Sequence, residues 1–198
     1  MSADGEVAVE VRDRRDDPRY ERLIAATRDL TAQGYDAVSM RALASITRMS
    51  LTTIYQLGGS KDQLIAEAHA DRMTKFREQL ERRPPEGSSA EARVRNVLRG
   101  YVKALDRDSV RTLAMMRALY ALAPDVTESR TSVRDTYTAI IDAAVGDEEI
   151  PDRMAVIDTL GHVVNSVILE WMNGWRDVAA VQTILDDAVH VLLRSSGS

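Results

Sequence analysis

The stretch SMRALASITRMSLTTIYQL, Ser39 to Leu57, decides how this chain is read. Ser39 and Ser50 each precede a short run of helical apolar spacing, where a serine hydroxyl can accept from an amide of the first turn. Leu43 and Ala44 fall on the inward side of the first helix, and Leu51, Ile54 and Leu57 on the inward side of the second. Thr52, Thr53 and Gln56 are left facing outward. Two short helices locked by a small apolar core, with hydroxyls and an amide on the free face of the second, form a helix-turn-helix, whose second helix enters the major groove of DNA. Gln56 is the candidate for base readout, because a carboxamide both donates and accepts. Tyr55 and Lys61 are placed to donate to phosphates, and the amides at Ser39 or Ser60 offer a helix N-terminus for the same purpose. Arg41, Arg48 and Ser50 complete the candidate set. On the residues alone, a plain hairpin of two serine-capped helices fits equally well.

Upstream, a helix starting after Pro18 carries Tyr20, Leu23, Ile24, Thr27 and Leu30 on one face and stops at Gly34. Residues 1–18 are polar and read as a flexible arm whose Arg12, Arg14 and Arg15 can reach a phosphate backbone. Downstream, Ser60-Lys61-Asp62-Gln63 has the form of a capping box and opens a long fourth helix through Leu64, Ala68, Met73 and Leu80, ended before Pro84-Pro85. A second box, Ser88 to Glu91, opens a fifth, and Ser109 caps a sixth that runs to about Leu122. Thr127 to Val145 forms a seventh, Pro151 at a first helical position opens an eighth, and Asp177 caps a ninth. The fold expected is all-α, about nine helices: an N-terminal three-helix domain over residues 19–65 and a larger helical domain over residues 66–198.

The bulk numbers narrow the chemistry. The chain has 198 residues and no cysteine, so disulfides, thiolate metal sites and cysteine nucleophiles are excluded. No apolar run approaches the ~20 residues of a membrane span, and residues 1–17 lack the core of a signal peptide, which points to a soluble cytoplasmic protein. The net charge of −5 is unusual for a nucleic-acid binder, but residues 12–61 hold nine Arg and Lys against six Asp and Glu. Asp158 and His162 lie four apart on one helical face without a third metal ligand. His69 and His190 have no positioned nucleophile. Gly58-Gly59-Ser60-Lys61 resembles a phosphate loop only until Asp62, where Ser or Thr is required. No catalytic residue, metal or cofactor is expected.

From Tyr20 to Leu64 the chain resembles the N-terminal domain of TetR-family repressors: Gly34-Tyr35, Ser39, Leu43-Ala44, Ser50, Tyr55 and Lys61-Asp62-Gln63-Leu64 stand at that family's spacing. It departs from the family at two places. Thr47-Arg48 replace the usual Ala-Gly of the turn, so that turn must form without glycine. Gly58-Gly59 replace an aromatic-proline pair, which predicts a looser connection to the fourth helix.

The resemblance implies a repressor that binds palindromic operator DNA as a dimer and is released by a small effector held in the C-terminal domain. The eighth helix, with Met154, Ile157, Leu160, Val164, Val167, Ile168, Trp171, Met172 and Trp175, is too apolar for one neighbour, and the ninth adds Val181, Ile184, Leu185, Ala188, Val189 and Leu192. A homodimer seam through these two helices would cover both. Met115, Met116, Leu119, Tyr120, Tyr137, Ile141 and Trp171 are the candidate pocket lining. Few charges interrupt these faces, so an apolar or amphipathic effector is expected. The C-terminal layout looks like that of actinobacterial TetR-type regulators of sterol and lipid catabolism, which implies an acyl or steroid metabolite. The alternative is a helical interaction or ligand-binding module that has lost DNA binding.

Overall fold

A computed structural model describes residues 14–194. Within them the chain forms nine α-helices and no strand: α1 Pro18–Thr31, α2 Met40–Thr47, α3 Leu51–Gly58, α4 Lys61–Arg82, α5 Ala90–Arg107, α6 Ser109–Leu119, α7 Thr127–Val145, α8 Arg153–Met172 and α9 Val178–Leu193. Single 3-10 turns stand at Arg14–Asp16, Tyr35–Ala37 and Pro124–Val126.

Most helix starts follow from local hydrogen-bond chemistry. The hydroxyls of Ser39, Ser50 and Ser60 each accept at 3.1 Å from the amides of Ala42, Thr53 and Gln63. Asp177 accepts from Ala180 at 2.8 Å. Each such cap contributes about 1 kcal/mol, which matters most for helices as short as α2 and α3. The Ser60 box closes only halfway. Gln63 turns its amide forward to Glu67 at 3.1 Å instead of back to Ser60.

Three helix starts differ from expectation. The cap of α5 is Ser89, not Ser88: Ser89 has the extended backbone a cap needs, and its hydroxyl accepts from Ala92 at 3.2 Å. Ser109 is the first residue of α6, not its cap; Asp108 precedes it and spends its carboxylate on Arg111 at 2.5 Å. α6 also ends at Leu119, where Arg130 takes the carbonyls of Leu119 and Ala121 at 3.4 and 2.9 Å. α8 begins at Arg153, two residues past Pro151, because Asp152 is left-handed at φ 51°. Arg153 then braces that loop by donating to the carbonyls of Asp142 and Gly146.

Two cores organise the packing. Leu23, Leu43, Ile54, Leu64 and Ile65 centre the first, closing α1 to α4 into a reading head. Val94, Leu98, Ile141, Ile157, Leu160 and Leu185 centre the second, between α4, α5, α7, α8 and α9. α4 runs through both, and the cores do not divide at residue 65. Ala68 of α4 and Met115 and Ala118 of α6 belong to the first, so α6 lies across the head like a brace.

Candidate nucleic-acid interface and internal cavity

The turn of the helix-turn-helix is made without glycine. Arg48 takes φ 56°, ψ 34°, and its amide closes on the carbonyl of Ala44. A left-handed arginine is strained relative to glycine, and here it leaves the guanidinium exposed beside α3. Beyond the reading helix, Gly58 is buried so close to Leu64 that a Cβ there would lie 2.6 Å from that side chain. The expected loosening therefore has a counterpart. The absent side chain lets Leu64 pack onto the end of α3.

On α3, Ile54 and Leu57 face the core. Thr52, Tyr55 and Gln56 are exposed on one face with Ser39, Arg41, Arg48 and Ser50 nearby in the chain. Thr53 is half-buried, and its hydroxyl lies 2.9 Å from that of Ser50, so it completes the cap. Leu51, expected in the core, is 42% exposed, and Ile46 on α2 is 56% exposed. Position 51 is the first residue of the helix and projects past the rim of the small core. Two free aliphatic side chains beside a polar reading face are suited to the thymine methyl group.

Lys61 is not a free cation. Its Nζ lies 3.7 Å from the centre of the Tyr35 ring, and Arg117 of α6 lies 4.0 Å from that ring. The Tyr35 hydroxyl donates to Asp62 at 2.5 Å, and burial with that carboxylate pushes its pKa up to about 12. The reading head and α6 thus share one ring held by two cations, an arrangement worth up to about 1–2 kcal/mol per pair where desolvated. Sequence reading used Tyr35 only as a family mark and did not find Arg117. The spacing of α6 gave no sign that its outer face meets the head.

Most of the expected arm, residues 1–18, including Arg12, lies outside the described residues. At its end Arg14 does not reach outward. It donates to the carbonyl of Leu57 at 3.0 Å and pairs with Glu67, while Arg15 pairs with Glu128 at 2.5 Å. Glu67 is buried and also accepts from Tyr20 at 2.8 Å. Burial raises its pKa, opposed by Tyr20, Arg14 and Gln63.

A cavity of about 240 Å³ opens among α4, α5, α6, α7 and α8. Its depth is apolar: Met73, Met116, Leu119, Val133, Ile157 and Ile168. Exposed Arg134, Asp158, His162 and Asn165 stand among its lining and mark its mouth. Of the expected lining, Met116, Leu119, Tyr120 and Tyr137 are brought together here. Three residues are not. Met115, one residue round α6 from Met116, packs into the reading-head core. Ile141 is fully inside the second core. Trp171 borders a void of only about 10 Å³ with Val102 and Val181. Trp175 lies beyond the end of α8 and is 76% exposed.

His69 was missed as a wall of this cavity. It is 2% exposed, neither ring nitrogen has a hydrogen-bond partner among the described residues, and burial beside Arg72 pushes its pKa down to about 4. His69 stands four residues from Ile65 and four from Met73, on the same helical stripe as those two apolar side chains, and that is the sequence signal that would have found it. Asp158 and His162 sit at the cavity mouth, and among the described residues no group of three metal-ligating side chains gathers anywhere. No helix of the described residues is long and apolar enough to cross a membrane.

Comparison with known proteins covers nearly the whole chain. Residues 23–68 match the family described as bacterial regulatory proteins, tetR family, and residues 87–192 match the tetracyclin repressor-like C-terminal domain. The chain is 27% identical over 177 residues to the HTH-type transcriptional repressor KstR of Rhodococcus jostii, spanning 88% of this chain and 82% of that protein. Among solved structures, a TetR transcriptional regulator from Rhodococcus sp. RHA1 superposes with TM-score 0.78 at 19% identity, covering 90% of this chain and 97% of that one. FadR of Thermus thermophilus, a TetR-family repressor solved in complex with lauroyl-CoA, superposes with TM-score 0.69 at 17% identity, covering 90% and 98%.

Proposed function

This chain belongs to the tetR family of bacterial regulatory proteins, and from that premise we propose a repressor that binds palindromic operator DNA as a homodimer and lets go when a small apolar or amphipathic effector enters the α4–α8 cavity. The observation that carries this reading is the free face of α3. Thr52, Tyr55 and Gln56 are exposed there while Ile54 and Leu57 anchor the helix from behind, which is what a helix needs to enter a groove without unfolding its own support. Gln56 reads a base, Leu51 meets a thymine methyl, and Tyr55, Arg41 and Arg48 hold phosphates.

The dimer reading rests on α8 and α9, where Val163, Ile184, Ala188 and Leu192 remain half-buried and Val191 is exposed. A second copy would cover them, and its two-fold axis would match a palindromic site. The effector reading rests on the cavity and its apolar depth. Lauroyl-CoA in the Thermus FadR accords with an acyl-type effector, and a steroid would suit the same apolar walls. Such a repressor acts in the cytoplasm, where its DNA is.

The test is a selection of bound genomic fragments followed by titration of the enriched duplex. Gln56→Ala should shift which sequence is preferred, by about 1–3 kcal/mol at the read position. Arg48→Ala should weaken all sequences alike and lower the salt slope by about one. If Gln56→Ala leaves the preference unchanged, base readout lies elsewhere. Size-exclusion chromatography should give a dimer; a stable monomer at micromolar concentration would remove the α8–α9 seam.

A further inference from the structure

We propose that the effector cavity has a polar floor, in which His69 and Tyr137 receive one neutral oxygen, a carbonyl or hydroxyl, carried on the buried part of an otherwise apolar ligand. This rests on the reading of the cavity as the effector site and adds the chemistry by which it selects.

Among the described residues, six buried side-chain nitrogen or oxygen atoms lack a partner: both ring nitrogens of His69, the Tyr137 hydroxyl, and one nitrogen each of Arg77, Arg95 and Arg111. The three arginines are otherwise engaged, with Glu81, with Glu91 and with Asp108. His69 and Tyr137 have nothing. Both line the same cavity, against Met73, Met116, Ile157 and Ile168. Buried polar atoms are almost always satisfied, and those left open in a folded protein call for an explanation such as a missing ligand.

The chemistry of the two side chains defines the occupant. Burial and the nearby Arg72 keep the His69 ring neutral, so one nitrogen donates and the other accepts. Burial likewise keeps the phenol of Tyr137 protonated and able to donate. A carbonyl or hydroxyl oxygen can accept from both. The cations nearest this depth are already bonded, Arg72 to the carbonyl of Ala104 and the half-buried Arg130 to the carbonyls of Leu119 and Ala121, while Arg134 stands exposed at the mouth, so a carboxylate would be desolvated here without a cation of its own. Gly161 keeps room for the ligand beside this floor: a Cβ there would come to 3.4 Å of the Tyr137 ring.

The experiment is calorimetric titration and thermal denaturation of the full chain with three probes of similar shape: 2-acetylnaphthalene, 2-isopropylnaphthalene and 2-naphthoate. The ketone should bind at least tenfold more tightly than the hydrocarbon and than the carboxylate. Tyr137→Phe should cut ketone affinity by roughly tenfold, leave hydrocarbon affinity unchanged, and not lower the melting temperature of the free protein, since it removes an unsatisfied hydroxyl. His69→Leu should act in the same direction; if that variant does not fold, Tyr137→Phe decides alone. Equal binding of ketone and hydrocarbon, or a ketone preference that survives Tyr137→Phe, would overturn the polar floor while leaving the effector cavity in place. Tightest binding of the carboxylate would overturn the neutral oxygen. Failure of all three to bind or protect the chain would count against the cavity as an effector site, and the floor would fall with it.

Discussion

Glu67 and His69 stand two residues apart on α4, both buried, at 6% and 2% exposed. Glu67 turns toward the reading head and is surrounded by donors: the Arg14 guanidinium, the Tyr20 hydroxyl at 2.8 Å and the Gln63 amide at 3.1 Å. His69 turns toward the body and meets none. One helix therefore carries a finished polar network on one side and an open one on the other. Through Arg14, which also holds the carbonyl of Leu57, the finished network reaches the end of the reading helix. The polar groups of the head are thus paired with one another, whereas the cavity keeps the His69 nitrogens and the Tyr137 hydroxyl open.

Among the substitutions, Glu67→Ala should give the largest change. It strands a half-buried arginine and a half-buried phenol, and should cost about 2 kcal/mol in urea unfolding. A loss under about 1 kcal/mol would show that the network is incidental and erase the contrast with His69. His69 sharpens the comparison through pH. Its folded pKa of about 4 lies below the ordinary histidine value of 6.5, so between these values the unfolded chain binds more protons. Stability should therefore be flat above pH 6.5 and fall by about 2–3 kcal/mol as the pH drops toward 4. Burial raises the Glu67 pKa as well, so the quantity to measure is the difference between the wild-type and His69→Leu curves. An identical acid limb in both would mean that His69 is solvated. The smallest effect is expected from Gly161→Ala, which adds a methyl in ordinary contact with Tyr137 inside a helix. It should raise stability by about 0.5 kcal/mol while weakening bulky ligands, and a lower melting temperature would show that the space beside Tyr137 is already filled.

What was legible in the sequence was what local chemistry decides. Ser39, Ser50, Ser60 and Asp177 announce helix starts because a cap acts within three residues, and the 3.6-residue period placed Ile54 and Leu57 inward. The Thr47-Arg48 pair showed that the turn forms without glycine, though not that Arg48 is the residue that becomes left-handed. Features set across the chain were not legible. Ser88 and Ser89 are equivalent cap candidates in sequence, and it is Ser89 that has the extended backbone and accepts from Ala92. Pro151 looked like a helix start, but Arg153 and its carbonyls hold the preceding loop instead. Met115 and Met116 are neighbours in sequence yet face different cores. The Tyr35–Arg117 stack joins residues 82 positions apart, which no short-range period encodes. His69 was weighed only as a catalytic histidine, and its place in the cavity wall was missed because a lone histidine is ordinary until its surroundings are seen to offer it nothing.

The central claim is that α3 reads DNA in a head whose hold on that DNA depends on the cavity below. Fluorescence anisotropy of the selected duplex, titrated with the purified chain over a range of salt concentrations and repeated with saturating 2-acetylnaphthalene, tests it most directly. Binding should be saturable, with log affinity falling linearly with log salt, and affinity should drop clearly when the ketone is present. Absence of any enriched fragment, with no anisotropy change even at low salt, would contradict the account at its first step; tight binding untouched by a ketone known to be bound would contradict it at its second.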